Sequence, residues 1–376
     1  MRKVISIGYG RHIFEVGNNE RRRLMACAEA VGSFDMVIFS KPEHGLVTGA
    51  VSNKLTLYPT NSKNNILALL DAFLLVRALI KNSPEPVTLT TQDPFETALI
   101  GILIKRLYGV KLIIQEHGDF FGTPDWRRET SLNRPRYLFG LWALKQADVV
   151  RVVSKRSKEH LVKQGIKNTV ILPVSIDFGL SQSDTISPLV REIFPLGSFV
   201  FLSAARFVKQ KNLPLLLEAF FAAQKEAPQV RLLLVGQGAE ESHLRKLIKK
   251  HSPTDEKLVQ ILPWSSDLAA LMRAADAYVL TSNYEGWARV LVEAMLTKLP
   301  IITTEVGCAG EVVVDKVHGM VVPVNNKNDL KEALCRLATD GDFYRSVKQN
   351  LAALSSKAIP GTDDSTYAAQ WADIFG

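Results

Sequence analysis

A chain of 376 residues, 47% hydrophobic and 22% charged, has a globular composition and is too long for one typical core, so we expect two domains. Its three cysteines lie far apart without a CxxC pair, which argues against a disulfide framework and a zinc site and fits a reducing cytoplasm. The first residues predict a strand rather than a signal peptide, and the longest mainly apolar run, residues 66–80, is too short and too charged to span a bilayer.

The formal net charge of +8 lies entirely in the first half of the chain. Residues 1–185 hold 25 Lys and Arg against 17 Asp and Glu, whereas residues 186–376 hold 21 of each. A basic half predicts an anionic partner, either a membrane surface or a phosphate-bearing acceptor, with a merely solvated surface as the alternative. We expect no nucleic acid, because no nucleic-acid module is recognisable and aromatic residues are not interleaved with a basic stripe.

In this first half, short apolar runs rich in β-branched residues alternate with helical patterns. Continuous apolar runs are typical of strands buried on both faces, and the alternation predicts a doubly wound α/β domain. Ligands of such sheets bind beyond the carboxyl ends of the strands. The predicted strands are residues 4–7, 36–39, 87–90, 111–114, 149–153 and 170–172, and the predicted helices include 65–81 and 94–108.

Two glycines, Gly8 and Gly10, follow the first strand. We reject a dinucleotide site there, because position 13 is Ile and the third glycine of that fingerprint is absent. Gly10 instead predicts close approach of an acceptor or of the facing domain. The arginines at 21–23 begin the next helix, and we favour a solvated face for them over contact with lipid phosphates.

The predicted helix over residues 65–81 is apolar nearly all round. That pattern is typical of a buried helix, so we expect most of it to lie in the core. The alternative is that one edge of this helix lies on a membrane.

His117 falls where the strand beginning at residue 111 ends, at the edge expected to carry the active site. A histidine there is as often a structural hydrogen-bonding residue as a functional one. Gly118 would let backbone approach a ligand, and Asp119 adds a carboxylate. The aromatic residues of the following loop, 120–126, fit either contact with sugar or lipid or simple packing.

The second half begins with a buried strand, residues 199–204, and a basic loop before the helix over 214–225. Arg206 and Lys211 in this loop fit a diphosphate site, since arginine binds phosphate through a fork and lysine as a point charge. The alternative is a basic surface loop. After the strand 230–235, Gly236 allows the chain to pass close to a planar ligand, and the strand from 259 leads to Trp264.

A strand, a tight turn and a helix follow at residues 277–295. The strand 277–280 leads to Glu285 and Gly286, and a helical pattern begins near Ala288, so unpaired amides at the helix start predict an anion site. Glu293 lies too far into the helix to cap it, so it is either solvated or a hydrogen-bond acceptor for ligand hydroxyls. An ordinary helix with one buried face explains the same pattern, and Asp340-Gly341-Asp342 predicts a helix-ending turn rather than a metal site.

These motifs resemble those of the retaining glycosyltransferases of family four, which have the GT-B fold. The segment from Glu285 to Glu293 matches the family's glutamate-x7-glutamate signature, and residues 205–212 match its Gly-Arg-Leu-x-x-x-Lys-Asn element, with Ala205 in place of glycine. Residues 173–177 resemble its Pro-Asn-Gly-Val-Asp turn, with Ser175 in place of glycine. The resemblance is strong over residues 199–324 and weaker before residue 87.

The resemblance implies an α/β GT-B fold of two Rossmann-like, doubly wound domains that face a central cleft. We expect an acceptor-side domain over residues 1–180, a linker rich in Ser, Thr and Pro over 181–198, and a donor-binding domain over 199–355. Residues 356–376 would form a C-terminal helix that crosses back to the first domain.

The resemblance also implies roles for individual residues. Glu293 would accept hydrogen bonds from the donor ribose, Glu285 would contact the donor sugar, and His117 would lie at the sugar end of the donor pocket. Arg206 and Lys211 would neutralise the diphosphate leaving group. Further donor contacts would come from Gly236, Trp264, Gly286 and the backbone of Trp287, Ala288 and Arg289, and the acceptor side would include Gly10 and Asp119.

The implied activity is transfer of a sugar, as by a hexosyltransferase, from a nucleotide-diphosphate sugar to a lipid-linked or polysaccharide-precursor acceptor with retention of configuration. No cofactor and no divalent metal are expected. This would be a cytoplasmic or peripheral inner-membrane enzyme of cell-envelope or surface polysaccharide synthesis, with an anionic membrane surface as a further partner. The alternatives are a nucleotide-sugar 2-epimerase of the same fold and a non-catalytic nucleotide-sugar-binding protein.

Overall fold

The computed structural model describes residues 2–176, 186–252, 257–265, 267–355 and 358–376. The chain divides into two compact units, Met1–Asp177 with Pro360–Gly376 and Phe178–Ile359. Each unit is built on its own, largely parallel β-sheet with helices in the connections, which confirms the predicted α/β class with two Rossmann-like domains.

The first unit holds a sheet in the order β3-β4-β2-β1-β5-β6-β7-β8, in which only the short outer strand β3 runs antiparallel to its neighbour. Its strands are β1 (Arg2–Gly8), β2 (Gly32–Ile38), β3 (Gly49–Ala50), β4 (Leu55–Pro59), β5 (Val87–Thr91), β6 (Lys111–Glu116), β7 (Val149–Val152) and β8 (Thr169–Ile171). Its helices are α1 (Asn19–Val31), α2 (Asn65–Lys81), α3 (Glu96–Tyr108), α4 (Pro124–Glu129), α5 (Asn133–Gln146), α6 (Lys155–Lys163) and, at the end of the chain, α14 (Asp364–Phe375).

The C-terminal helix α14 packs on the first unit, beside α1, as the resemblance implied. Trp371 stacks on Phe375 with ring centroids 4.3 Å apart, and both side chains are buried in the core formed with β1, β2 and α1. Lys111 Nζ donates to the carbonyl of Ile374 at 3.0 Å. The apolar face of α14 is buried in the first unit. The last residues of the chain therefore form part of the same hydrophobic core as β1, α1 and β2.

The second unit holds a six-stranded, wholly parallel sheet in the order β11-β10-β9-β12-β13-β14. Its strands are β9 (Phe199–Ala204), β10 (Val230–Val235), β11 (Val259–Leu262), β12 (Ala277–Leu280), β13 (Ile301–Thr304) and β14 (Gly319–Val322). Its helices are α7 (Leu189–Ile193), α8 (Leu213–Gln224), α9 (Glu241–His251), α10 (Leu268–Ala274), α11 (Arg289–Leu296), α12 (Lys327–Thr339) and α13 (Gly341–Ala353). Phe201, Phe207 and Phe220 are fully buried in its core.

The predicted strands all appear, with ends that differ from the prediction by at most four residues, because each is an apolar run buried in a parallel sheet. The strands β3 and β4 were not predicted, because β3 has only two residues, both exposed, and β4 alternates buried and half-buried residues instead of forming a continuous apolar run. Part of the predicted linker, residues 181–185, lies outside the described residues, as do Asp177 of the predicted turn and residues 356–357 of the tail. Residues 189–193 of that linker form α7, in which Val190 is buried.

The prediction that α2 lies mostly in the core is wrong. Only Ala68, Ala72 and Val76 are buried, at a spacing of four that forms one narrow stripe facing the sheet. The bulky residues Ile66, Leu70 and Leu74 stand on the outer side and are 80%, 52% and 45% exposed. A helix that covers one face of a sheet buries a single stripe, so an apolar outer face remains in contact with solvent.

The sequence Asp340-Gly341-Asp342 forms the junction between α12 and α13. The carboxylate of Asp340 accepts a hydrogen bond of 3.0 Å from the amide of Phe343 and caps α13, while the exposed Asp342 pairs with Arg345. Both carboxylates therefore serve the ends of helices, as predicted for a helix-ending turn.

Candidate functional site

The candidate donor site lies at the carboxyl edge of the second sheet, where β9 and β12 end side by side. Strands β10 and β11 continue the sheet on one side of this pair, and β13 and β14 continue it on the other. The strand order reverses at this point. Such a topological switch point is where open parallel sheets bind their ligands.

Hydrogen bonds fasten the loop after β9 to the loop after β12. The amide of Asn283 donates to the carbonyl of Gln210 at 2.8 Å, and the side-chain amide of Gln210 donates to the carbonyl of Tyr284 at 3.0 Å. The hydroxyl of Thr281 donates to the carbonyl of Lys211 at 2.9 Å. The two loops therefore form one platform, and side chains that are 74 residues apart in the sequence keep a fixed relation.

Lys211 and Glu285 meet on this platform as an ion pair, with Nζ of Lys211 donating to Oε1 of Glu285. The hydroxyl of Ser282 donates to the same carboxylate oxygen at 2.7 Å. Both charged side chains are largely buried, with 15% and 11% of their surfaces exposed. The site thus brings together two residues that the sequence predicted separately, one for the diphosphate and one for the sugar.

The start of helix α11 supplies backbone amides beside this pair. Ala288 precedes the helix in the left-handed region, at φ 60°, and no partner for the amides of Trp287 and Ala288 occurs among the described residues. The carbonyl of Trp287 accepts from the amide of Cys308 at 3.1 Å, and a Cβ on Gly307 would lie 2.7 Å from that carbonyl oxygen. A neighbouring turn therefore fixes the segment that presents these amides, as an anion site requires.

Glu293 lies one turn into α11, half-buried, and no hydrogen bond to its carboxylate occurs among the described residues. Burial raises the pKa of the Glu293 carboxyl group, and the charge of Arg289 opposes that shift. Nearby Tyr278 donates its hydroxyl to the carbonyl of Ala204 at 2.8 Å, and burial together with the charges of Glu293 and Glu285 raises the pKa of that phenol. The carboxylate of Glu293 is thus available to accept hydrogen bonds from a ligand.

The remaining predicted donor residues lie at the same edge of the sheet. Arg206 is exposed just after β9, and Arg289 is exposed in the first turn of α11. Gly286, in the loop before α11, is buried. Trp264 follows β11 and is 58% exposed. The side chains of Arg206, Arg289 and Trp264 are accessible, and the contacts of all four residues with a donor stay predictions.

Gly236 is required where two backbone segments meet, and its predicted contact with a planar ligand stays a prediction. Its φ of 146° is strained for other residues, and a Cβ would lie 1.9 Å from the carbonyl oxygen of Ala205. The loop after β10 passes directly against the loop that carries Arg206. Gly236 therefore positions the basic loop.

In the first unit, His117 follows β6 and is half-buried. Burial lowers the pKa of its imidazole well below the usual value, and the nearby charges of Arg151 and Arg23 lower it further. The ring is therefore neutral near pH 7 and has one nitrogen to donate and one to accept. Arg151 is itself buried and donates to the carbonyl of Leu172 and to Gln115.

The loop that carries His117 is held by two buried carboxylates. Oε1 of Glu116 accepts from the amides of Gly118 at 3.1 Å and Phe120 at 3.0 Å. Burial, with the neighbouring Asp119 charge, raises the pKa of Glu116 to about 8. These bonds fold the loop back on the end of β6.

Asp119, predicted on the acceptor side, is 3% exposed and adopts a φ of 54°. Its Oδ1 lies 2.8 Å from Nδ1 of His160 on α6. Burial raises the pKa of Asp119, and the hydrogen bond with His160 lowers it. The carboxylate supports the loop that carries His117 from inside the unit, and its place on the acceptor side stays a prediction. Sequence reasoning missed His160, since a single histidine on a polar helix carries no signal.

A cavity of about 480 Å³ opens at the carboxyl ends of β1, β2 and β4 in the first unit. Tyr9 and Arg11, on either side of the predicted acceptor-side residue Gly10, both line it. Three cationic side chains and one carboxylate, Glu96, contribute to its wall. The lining residues are Tyr9, Arg11, Phe39, Ser40, Lys41, His44, Ser62, Asn64, Asn65, Ile66, Ala68, Leu69, Glu96 and Arg136.

Two family models match the chain, one in each unit. "Glycosyltransferase Family 4" matches residues 35–178, and "Glycosyl transferases group 1" matches residues 190–353. The second range contains the loops after β9 and β12 and the whole of α11.

Among curated proteins, the chain is 23% identical over 326 residues to the UDP-Gal:alpha-D-GlcNAc-diphosphoundecaprenol alpha-1,3-galactosyltransferase of Escherichia coli, covering 82% of this chain and 81% of that protein. It is 26% identical over 264 residues to an uncharacterised glycosyltransferase of Methanocaldococcus jannaschii, covering 70% and 68%. The chain spans between 48% and 81% of the length of these and two further curated relatives.

Among solved structures, the fold is similar to that of sucrose-phosphate synthase from Thermosynechococcus elongatus, with a TM-score of 0.80 at 18% identity, over 100% of this chain and 98% of that one. This likeness, at low identity, shows the GT-B fold. In the part of the chain that the structure describes, no helix has the length and apolar character needed to cross a membrane.

Proposed function

The chain belongs to the glycosyltransferases of family four, and from this we propose that it transfers a sugar from a nucleotide-diphosphate sugar to a lipid-linked or polysaccharide-precursor acceptor with retention of configuration. The observation that carries the proposal is the Lys211–Glu285 pair beside the amides that precede α11, at the switch point of the second sheet. A site of fixed cations, open amides and an accessible carboxylate suits a ligand with phosphates at one end and hydroxyls at the other.

In the proposed donor complex, the amides of Trp287 and Ala288 and the side chain of Arg206 bind the diphosphate. The carboxylate of Glu293 accepts hydrogen bonds from the ribose hydroxyls. Lys211 stays paired with Glu285, which orients that carboxylate toward the sugar while leaving a net positive environment for the phosphates. Charge develops on the departing diphosphate in the transition state, so pre-positioned donors at this point lower the barrier.

His117 takes the role that the resemblance implies, a contact with the transferred sugar. Its neutral imidazole can donate a hydrogen bond to a sugar hydroxyl or accept one without placing a positive charge beside the reacting centre. The bonds from Glu116 and Asp119 hold its loop and reduce the motion that would weaken such a contact. The proposal includes no divalent metal.

The acceptor is proposed to carry phosphate. The excess of basic residues in the first half and the cationic wall of the 480 Å³ cavity favour an anionic group there. The E. coli relative is named for a diphosphoundecaprenol acceptor, which supports a lipid-linked class at 23% identity. An enzyme of cell-envelope polysaccharide synthesis, peripheral on the cytoplasmic face of the inner membrane, follows from such an acceptor.

The test is a transfer assay on the purified full-length chain with UDP-sugars and GDP-sugars, an undecaprenyl-diphosphate-linked sugar as acceptor, and no added metal. We expect sugar transfer from one nucleotide class, with the anomeric configuration of the donor kept in the product when it is followed by NMR. Glu293→Gln should reduce kcat/KM for the donor by about 100-fold or more, because hydrogen bonds to a charged acceptor are lost.

The matched control is Glu332→Gln, which removes an exposed carboxylate from α12 in the same unit and should leave kinetics unchanged. Conversion of the donor sugar without any acceptor would identify an epimerase and contradict the proposal. Wild-type kinetics for Glu293→Gln would remove this residue from the donor site.

A further inference from the structure

An apolar ridge runs across the outer side of three neighbouring helices in the first unit. Helix α2 packs beside α3, and α3 packs beside α5. Each helix buries one face and exposes large apolar side chains on the opposite face at helical spacing. The exposed apolar residues that form this ridge are Ile66, Leu70 and Leu74 on α2, Leu99, Leu103 and Leu107 on α3, and Leu138 and Trp142 on α5.

The spacing within the ridge is regular. On α2 and on α3 the exposed residues recur every four positions. Each helix therefore carries one row of apolar side chains, in which neighbouring residues are about one helical turn apart. Leu107 is 63% exposed and Leu138 is 69% exposed. Single exposed leucines are common on protein surfaces, but contiguous apolar rows on adjacent helices mark an interaction surface.

Cationic side chains accompany the apolar rows. The three helices together carry seven Lys and Arg but only two Asp and Glu. Both carboxylates are engaged, since Asp71 accepts from the hydroxyl of Ser62 at 2.6 Å and Glu96 pairs with Arg136 at 2.7 Å. The three helices therefore carry a formal charge of +5, of which Asp148 offsets one through its ion pair with Lys105 at 2.7 Å.

The cations lie next to the ridge rather than on the opposite side of the helices. Arg106 and Leu107 are adjacent exposed residues, and the guanidinium of Arg106 lies 5.9 Å from the centre of the Trp142 ring. Arg134 and Lys145 are exposed at the two ends of α5, and Lys81 is exposed at the end of α2. Apolar residues flanked by Arg and Lys are the composition of surfaces that insert into the interface of an anionic bilayer.

We propose that the outer face of α2, α3 and α5 docks on an anionic lipid bilayer, with the leucine rows in the headgroup and acyl boundary and the cations on the lipid phosphates. A protein partner of this face would need a surface that is both apolar and rich in carboxylates. An anionic bilayer supplies negative charge and an apolar layer over an area of any size. This proposal identifies the surface through which the proposed peripheral enzyme would contact the membrane. It rests on the proposed function only where it concerns the lipid-linked acceptor.

The docking face adjoins the cavity in the first unit. Ile66 begins the exposed row of α2 and also lines the cavity, and Arg136 of α5 lines it from the other side. A lipid-linked acceptor could therefore present its phosphate group to the cavity while its hydrocarbon chain stays in the bilayer.

The experiment is co-sedimentation of the full-length chain with vesicles of phosphatidylcholine mixed with phosphatidylglycerol and with vesicles of phosphatidylcholine alone. We expect binding to the anionic vesicles only. Leu70→Gln with Leu103→Gln, and separately Arg106→Gln with Arg134→Gln, should each weaken binding by about tenfold or more. All four positions are exposed, so these substitutions leave the core intact.

The matched controls are Val16→Gln with Leu196→Gln, which remove exposed apolar residues elsewhere, and Lys249→Gln with Lys250→Gln on α9. Both should bind vesicles as the wild type does. No binding of the wild type, or equal losses in the test and control variants, would overturn the proposal. A dimer in sedimentation equilibrium that Leu70→Gln with Leu103→Gln abolishes, without vesicle binding, would assign the face to a second copy and equally overturn it.

Sugar transfer is measured separately from vesicle binding. With a short-chain, detergent-soluble acceptor, the docking variants should keep the wild-type kcat/KM, since their residues lie outside the donor site. A wild-type chain that transfers sugar but does not bind vesicles would refute only the docking face. A wild-type chain that binds vesicles but transfers no sugar would refute only the proposed reaction.

Discussion

The buried pair of Lys211 and Glu285 is the central feature of the candidate site at the scale of single residues. Both side chains are largely enclosed, and each is the other's counter-ion. Removing one partner of such a pair leaves an uncompensated charge, which costs more free energy than removing both. The same ion pair therefore contributes both to the stability of the second unit and to the geometry of the candidate donor site.

We predict that Lys211→Met lowers the free energy of unfolding of the second unit by about 3 kcal/mol, because Glu285 then stays buried without its cation. Adding Glu285→Gln should recover part of that loss, which shows as a coupling of about 1–3 kcal/mol in a double-mutant cycle. The measurement is urea denaturation of the four proteins. Turnover should be lost in all three variants.

The exposed pair of Arg245 and Glu241 on α9 offers the control. Arg245→Met should change the free energy of unfolding by less than about 0.5 kcal/mol, since solvent screens that pair. Strictly additive effects of Lys211→Met and Glu285→Gln would show that the two side chains do not interact in solution.

The sequence predicted single residues most specifically where a family motif contains them. Glu285 and Glu293 are eight residues apart on one motif, and Arg206 and Lys211 share another, so the resemblance predicts a role for all four. The contact between Lys211 and Glu285 joins loops that are 74 residues apart, and spacing along the chain carries no information about it. His160 was missed for the same reason, because it reaches Asp119 across 41 residues.

At the scale of elements, the position of the basic loop depends on the turn after β10. Gly236 passes so close to Ala205 that any side chain would collide with backbone. If position 236 carried a side chain, either the loop after β9 or the loop after β10 would have to move. The proposed binding of a diphosphate by Arg206 would therefore depend on a residue that need not touch the ligand.

We predict that Gly236→Ala lowers affinity for the donor nucleotide by about tenfold or more and lowers the free energy of unfolding by about 2 kcal/mol, because the new Cβ would strain a left-handed backbone and displace the basic loop. Isothermal titration with the nucleotide diphosphate and thermal unfolding measure the two effects. The control is Gly341→Ala at the start of α13, where the nearest atom to a new Cβ is 3.4 Å away on the flexible side chain of Arg345. This control should be neutral or slightly stabilising, and an equally harmless Gly236→Ala would contradict the assigned role.

Most elements were predictable because their burial is uniform. Strands such as β9 and β10 are continuous apolar runs, and the structure gives them the predicted bounds. Helix α2 shows where that reasoning fails, since its apolar composition predicted burial on all sides and its outer leucines are exposed. Composition reports how apolar a helix is, but only the packing of its neighbours decides which face is covered.

At the scale of the whole molecule, the chain begins and ends in the same unit. Helix α14 belongs to the first unit although the entire second unit separates it from α6 in sequence. Arg2 donates to the terminal carbonyl of Gly376 at 2.5 Å, and Phe375 is fully buried against residues of α1 and β2. The family resemblance implied this crossover, and Tyr367, Trp371 and Phe375 are the aromatic side chains of α14 that the core takes up.

We predict that Trp371→Ala destabilises the first unit by about 3 kcal/mol and leaves the second unit unaffected, because it opens a cavity between α14, α1 and β2. Hydrogen exchange followed by mass spectrometry can report the two units separately, and we expect faster exchange in β1, β2 and α1 but not in β9, β10 or α8. Gln370→Ala, which changes the adjacent exposed residue of the same helix, should leave exchange unchanged. Equal acceleration in both units would mean that they unfold cooperatively, and α14 would then stabilise the second unit as well as the first.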